Sequence, residues 1–233
     1  METEIQARKC TSPNRNGLTA EIYETVKAEI IAGALKSRDR LYEPVLAKRF
    51  KTSRTPVREA LQRLISEGLA EARPDGVCVA ALSVQDVRSL EQANRALQSL
   101  AVELAAREGS AAGTAELEAL MARMEACAAT RDLDGWMAAD QDIHRHLFQL
   151  SGNRWLVKLL LQMESLIGRV RHIALRRPGR LDEATRQHRT IVDAVTAHDG
   201  TAAYQAMYSH LVVTEQNLAE LLELLEPLNS DRL

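Results

Sequence analysis

Aromatic side chains are scarce here: Trp, Tyr and Phe make up only 3% of 233 residues, while alanine and leucine abound. That balance favours helices. Cysteine is nearly absent as well. Cys10, Cys78 and Cys127 are an odd, scattered set without metal-ligand spacing, so they read as reduced thiols of a cytoplasmic protein. No apolar run approaches the roughly 20 residues that a membrane-spanning helix needs. Leu159-Leu160-Leu161 is closed off by Lys158 and Gln162, and no membrane partner is expected. The opening Met1-Glu2-Thr3-Glu4-Ile5 is too polar for a signal peptide. No repeat of 20–50 residues recurs. A nucleophile elbow, an HExxH pair and a Gly-rich phosphate loop are all missing, which leaves little to support an enzyme.

Net charge is also small, at −2, but it divides unevenly. Residues 1–80 hold 14 Lys and Arg against 11 Asp and Glu, and the remainder holds 16 against 21. A basic front and an acidic rear place any nucleic-acid partner at the front. Residues 1–17, with Ser12, Pro13, Asn14, Asn16 and Gly17, read as a disordered arm. A helix is predicted over 18–31, ended by Gly33, and a short one over 43–50 with Pro44 in its first turn. A third begins at the Ser53-Arg54-Thr55-Pro56 stretch and runs to Gly68. Leu69 to Ala80, turning at Pro74-Asp75-Gly76, read as a β-hairpin. Three helices and a hairpin make a winged helix-turn-helix over 18–80.

The third helix is the reading element. Ser53 and Thr55 are both good N-caps, and Val57, Leu61 and Leu64 form its core stripe. Arg54, Thr55 and Arg58 are left near the exposed tip. A guanidinium reads a guanine edge bidentately, and amides at a helix tip face phosphate. Lys51 adds a cation beside the turn, and Gly76 marks the wing tip. By themselves these are ordinary solvated side chains; the surrounding motif gives them a DNA-binding role.

From Ser83 onward only helices are predicted, over about 83–107, 114–130, 132–150, 153–176, 181–198 and 201–226, a six-helix bundle ending near 228 with a tail over 229–233. Ser83 and Asp86 form a capping box at the start of the first.

Together these stretches resemble the GntR family of bacterial repressors, in its FadR branch with the all-helical FCD ligand-binding domain. Ala32-Gly33, Leu46-Ala47, Ser53 to Leu61 and Glu67-Gly68-Leu69 carry the front of the resemblance. Asp140-x-x-x-His144, Gly152-Asn153, Gln187-His188 and His210-Leu211 carry the rear. The resemblance implies a cytoplasmic homodimer, associated with the nucleoid when it sits on a short palindromic operator. It would release that double-stranded DNA when a small organic acid enters the rear domain. The chain departs from the family pattern at three places. Lys36 to Arg40 replace a Pro-Gly turn, which points to a longer or looser loop. Lys51 stands where Gly is usual. Asn94 and Gln98 replace an Arg and a Glu.

Polar residues on apolar stripes mark the rear site. Leu133, Met137, Asp140, His144 and Phe148 share one helix face. His188 lies on a stripe with Leu181, Ala184, Ile191 and Val195. His210 clusters with Ala206, Met207, Val213 and Asn217. A lone inward histidine is usually a hydrogen-bonded core residue. Three histidines and a carboxylate from three helices are costly to bury without a shared partner. A divalent transition metal, one per subunit, answers that cost, with Zn foremost and Ni, Fe or Mn as alternatives. Four protein ligands in an octahedral site leave room for a bidentate acid. His146 and His172 are expected on solvated faces, and His198 at a helix end. Arg169 and Arg176 are expected to point away, and Arg171 to flank the inward face, either as the anchor of an effector carboxylate, with Asn94 and Asn217 beside it, or in an interhelical or surface ion pair. The alternatives are a metal-free effector mode of the acyl-CoA type on the same architecture, a metal-dependent enzyme, or a metal that only staples the bundle.

Overall fold

The computed structural model describes residues 15–175 and 178–229. The expected arm and tail therefore fall largely outside the described residues, as does Arg176. The chain divides into two units, residues 1–80 and 81–233, and each is described by itself.

In the front unit, helices α1 (Arg15–Ile31), α2 (Glu43–Arg49) and α3 (Arg54–Ser66) precede strands β1 (Ala70–Arg73) and β2 (Gly76–Val79). The strands pair antiparallel, with Ala70 opposite Val79 and Arg73 opposite Gly76. Ile22, Tyr23, Val26 and Ile30 of α1 meet Val57, Leu61 and Leu64 of α3 in a core that is essentially closed to solvent. Each such aliphatic side chain contributes about 1.5–3 kcal/mol by leaving water. Tyr23 ties the two ends together: its hydroxyl donates to Glu67 at 2.6 Å, and the Arg63 guanidinium stacks 3.7 Å from its ring centre.

The expected looseness at 36–40 is not found. Arg40 pairs with Cys78 as a β-bridge, and Arg38 N–H donates to Val79 O at 2.9 Å while Val79 N–H donates to Asp39 O at 2.9 Å. The segment edges the two-stranded hairpin through this isolated bridge, which pairs backbone groups that β2 would otherwise leave open. Arg38 takes φ +69° in the turn before it, the conformation a glycine would have supplied.

The rear unit holds six helices among its described residues: α4 (Val84–Glu108), α5 (Ala111–Thr130), α6 (Leu133–Leu150), α7 (Arg154–Ala174), α8 (Arg180–Thr196) and α9 (Gly200–Asn229). The capping box is present, with Asp86 N–H donating to Ser83 Oγ at 3.0 Å and Ser83 N–H to Asp86 Oδ2 at 3.1 Å. Asn153 caps α7 through the amides of Trp155 and Leu156. Helix α8 stops at Thr196 rather than 198 because His198 adopts φ +59°, and its ring faces Ala106 O at 2.9 Å. Leu117, Met121, Met124, Trp136, Ile143, Leu147, Ile191, Val195, Met207 and Leu211 fill the core between α5, α6, α8 and α9.

Candidate metal centre and DNA-reading helix

The front site is built on α3. Ser53 is its N-cap by backbone geometry, but its hydroxyl makes no capping bond, and Thr55 lies inside the helix rather than capping it. Pro56 and Val57 are buried beneath this end, while Ser53, Arg54, Thr55 and Arg58 are exposed. Burial of the stripe therefore fixes which side of α3 faces solvent. One contact escaped the sequence: Arg58 Nε donates to both carboxylate oxygens of Glu43 on α2, at 2.9 and 2.8 Å. Glu43 holds the Arg58 fork over the α2–α3 turn. Lys51 is exposed in that turn at φ +50°, and Gly76 turns the hairpin at φ +133°.

The rear site lies between α6, α8 and α9. Helical spacing places Asp140 and His144 on one face of α6, both only 1% exposed. His188 of α8 is fully buried and His210 of α9 is 4% exposed. The ring centres are 4.5 Å apart for His188 and His210, and 5.3 Å for His144 and His188. One ligand nitrogen from each of the three lies within 4.8 Å of the others. Asp140 lies beside two of the three, with Oδ1 3.0 Å from His188 Nε2 and 3.7 Å from His144 Nε2, and the mutually close ligand group is the three histidines.

Hydrogen bonds fix where the protons sit. His188 Nδ1 lies 2.8 Å from Ala184 O, so it must be the N–H. His210 Nδ1 lies 2.8 Å from Gln187 Oε1, an oxygen that also accepts from Arg180 Nη1 at 2.9 Å. In the neutral rings, both Nε2 atoms then carry bare lone pairs. His188 Nε2 faces His144 Nε2 at 3.2 Å and the Asp140 carboxylate, while His144 Nδ1 is buried with no hydrogen-bond partner.

Electrostatics match this assignment. Burial would raise the Asp140 carboxyl, but the Arg171 guanidinium and the facing His144 and His188 outweigh it and hold the group well below its usual range. Burial pushes His144 far below the usual imidazole value, and Arg171 adds to it. Burial does the same to His210, helped by His188 and His144. The site is thus two imidazoles held neutral, a third among them, and an ionised carboxylate. Such a donor set fits a divalent transition cation. Arg180 and Gln187 fix the His210 tautomer, as residues behind metal ligands do.

Several sequence expectations need correcting. Of the two readings of Arg171, the structure has the interhelical ion pair: its Nη1 donates to Asp140 Oδ2 at 2.6 Å. His146 is not solvated but 9% exposed, with Nε2 2.8 Å from Gly113 O, because α6 buries a second face against α5. Arg169 is 5% exposed rather than outward, and burial lowers its basicity; α7 is packed by α4, α6 and α9 together. Leu133 is 41% exposed, not part of the inward stripe. Asn94 and Asn217 are buried, and Asn94 Nδ2 donates to Glu91 Oε2 at 3.1 Å while Gln98 donates to Asn94 Oδ1.

A small cavity opens beside the triad. It is lined by Trp136, Asp140, Arg171, Arg180, His210 and Thr214 with three apolar neighbours, and its volume is about 10 Å³, room for about one water. Asn94 and Asn217 are not among its lining residues. Arg180, Thr214 and Trp136 escaped sequence reasoning. The signal for Arg180 existed, since it sits four residues before Ala184 on the His188 stripe.

Comparison with known proteins follows this division. Residues 18–79 match the family described as bacterial regulatory proteins, gntR family, and residues 89–213 match the FCD domain. The HTH-type transcriptional repressor GlaR of Escherichia coli is 30% identical over 199 residues, covering 82% of this chain and 90% of that protein. Among solved structures, E. coli McbR/YncC aligns with a TM-score of 0.74 at 23% identity, over 88% of this chain and 97% of that one. A GntR transcriptional regulator from Rhodococcus sp. RHA1 aligns with a TM-score of 0.71 at 24% identity, over 87% and 97%. These relatives are regulators rather than enzymes. The chain belongs to the gntR family of bacterial transcriptional regulators, with an FCD domain following its winged helix-turn-helix.

Proposed function

We propose that this chain is a cytoplasmic homodimeric repressor whose grip on a palindromic operator is modulated by a small carboxylate bound at a divalent metal in the FCD domain. Repression accords with the name of its relative GlaR. Arg54, Thr55 and Arg58 read base edges, Lys51 and Ser53 meet phosphate, and Gly76 lets the wing approach the duplex.

The observation that carries the metal assignment is the proton balance at the triad. Two rings whose Nδ1 atoms are committed to carbonyl oxygens, and a third with an unpartnered buried nitrogen, come together beside one carboxylate. A lone proton in place of a metal would answer only one of the three rings. When bound, a divalent cation supplies open coordination positions for an acid. Asp140, His144, His188 and His210 hold it, and Arg171 neutralises and orients Asp140 from the other side.

The test is elemental analysis of purified protein, paired with operator gel shifts before and after chelation. One equivalent of Zn, Ni, Fe or Mn per chain is expected. A preparation that neither carries nor takes up any of these would make the four residues a hydrogen-bonded core cluster.

A further inference from the structure

Three arginines of the front unit line one groove on the hairpin. Arg38, Arg40 and Arg73 surround it together with Asp75, Gly76 and Cys78, and its volume is about 50 Å³. That is room for several waters, and so for the oxygens of one tetrahedral anion. Local pairing assembles the groove. Arg38 N–H donates to Val79 O and Leu41 N–H to Val77 O, both at 2.9 Å, so the segment before α2 is held along β2 and its arginines join Arg73 of β1. The three arginines and Asp75 are all exposed. Asp75 pairs with Arg40, and Glu71, outside the lining, holds Arg73 at 2.7 Å. Even with both carboxylates counted, the cluster keeps a positive excess. Burial pushes the Cys78 thiol up, so the wall beneath adds no opposing charge. The groove is continuous with the reading helix. Arg40 Nη1 donates to Tyr42 OH at 3.0 Å, Tyr42 is the N-cap of α2, and the next residue, Glu43, holds Arg58 of α3.

We infer that this groove seats one backbone phosphate of duplex DNA, with Arg38, Arg40 and Arg73 as its ligands and Asp75 as the carboxylate that the phosphate displaces from Arg40. This deepens the proposed function and rests on its reading of the front unit as DNA-binding. Guanidiniums bind phosphate through paired N–H donors, and contacts of this kind fix a protein's register on the duplex without reading sequence. In the DNA-free protein Asp75 occupies one of the three cations; a phosphate in the groove engages all of them. Gly76 leaves the approach open, since a Cβ there would meet nothing within 4 Å.

The test uses the full-length protein and a random-sequence DNA duplex, titrated by fluorescence anisotropy between about 50 and 200 mM salt. Two single variants are compared with their double: Arg73→Gln, and Arg38→Asn, which places a residue that tolerates the left-handed backbone at φ +69°. Each single variant should lower the slope of log affinity against log salt by about 1 for each subunit on the DNA. The double variant should lower it no further, because one phosphate is lost in every case. Asp75→Asn should tighten binding by up to about fivefold, the size of an exposed charge pair, and misfolding could not produce that gain. Unchanged slopes in both single variants overturn the inference, as does an Asp75→Asn protein that binds no more tightly. A double variant whose slope falls twice as far as either single one overturns it too, by making these arginines independent surface charges. Calorimetric titration of inorganic phosphate into the DNA-free protein separates the sources. No saturable binding is expected, and tight binding that the double variant abolishes would give the groove to a small phosphorylated ligand instead. Wild-type protein that binds no duplex at all would remove the DNA-binding reading and the seat with it, whereas normal wild-type binding with unchanged variants removes the seat alone.

Discussion

His188 and His144 meet Nε2 to Nε2 at 3.2 Å, both buried, with the Asp140 carboxylate 3.0 Å from the first of them. No arrangement of neutral rings satisfies every nitrogen there, so removing one ring should change what the site holds. His188→Ala and His210→Ala are expected to lose the metal by elemental analysis, while His172→Ala keeps it. Retention of a full equivalent by both triad variants would exclude the assigned ligand set.

His146→Ala separates burial from ligation. It removes a buried imidazole whose Nε2 faces Gly113 O at 2.8 Å, which costs about 1–3 kcal/mol of stability by stranding that carbonyl. Metal content should stay unchanged, since the ring contacts α5 rather than the triad. Thermal unfolding and metal analysis on one preparation give both numbers.

Arg58→Ala should weaken operator binding by about 1–3 kcal/mol and relax base preference at one position, as losing a bidentate base contact does. Glu43→Ala should free the Arg58 fork that both carboxylate oxygens hold and blur the preference while affecting affinity less. Wild-type affinity and preference in the Arg58→Ala gel shift would make the α3 assignment wrong.

Lys51 stands at φ +50°, where a side chain is strained and glycine is not. Lys51→Gly should therefore raise stability by about 0.5–1 kcal/mol while weakening specific and non-specific DNA binding alike. Its salt slope should fall by about 1, the mark of one lost phosphate contact. Denaturant melts and salt-dependent titrations test the two halves separately.

Much of this was legible in the sequence because it depends on local periodicity. Val57, Leu61 and Leu64 at helical spacing told which side of α3 is buried, and Asp140 with His144 told that polar groups enter the bundle. What periodicity assigns is one face per helix, so helices that pack on several sides were misread. His146 on α6 and Arg169 on α7 are buried for that reason. Pairings between distant elements were beyond reach too. An interhelical ion pair was one of the two readings of Arg171, but Asp140, 31 positions away, could not be named as its partner, and the Arg58–Glu43 pair, 15 positions apart, leaves no spacing signature.

Helix α7 exposes Trp155 and Leu159 at i, i+4 spacing, 59% and 46% accessible, and neighbouring Leu161 is 44% accessible. An apolar stripe of this kind, on a chain proposed to read a palindrome, suits a second copy of the chain. The double variant Trp155→Glu, Leu159→Glu should shift the sedimentation profile from dimer to monomer and reduce operator affinity while leaving the helical circular-dichroism spectrum intact. A dimer that persists in this variant would place the subunit interface on another face.

The last expectation concerns the switch itself. If acid and operator favour different states of one protein, each must weaken the other by the same factor, typically about 1–3 kcal/mol. A ligand with no differential affinity shifts nothing, so the acid's own affinity should fall when operator is present. Chelation should abolish the acid response but leave basal operator binding, because Arg54, Thr55 and Arg58 belong to the other unit. The decisive comparison is operator affinity with and without acid, in wild type and in His188→Ala. Should the variant still bind acid and release DNA as wild type does, the triad serves only to staple α6, α8 and α9, and the effector site lies elsewhere.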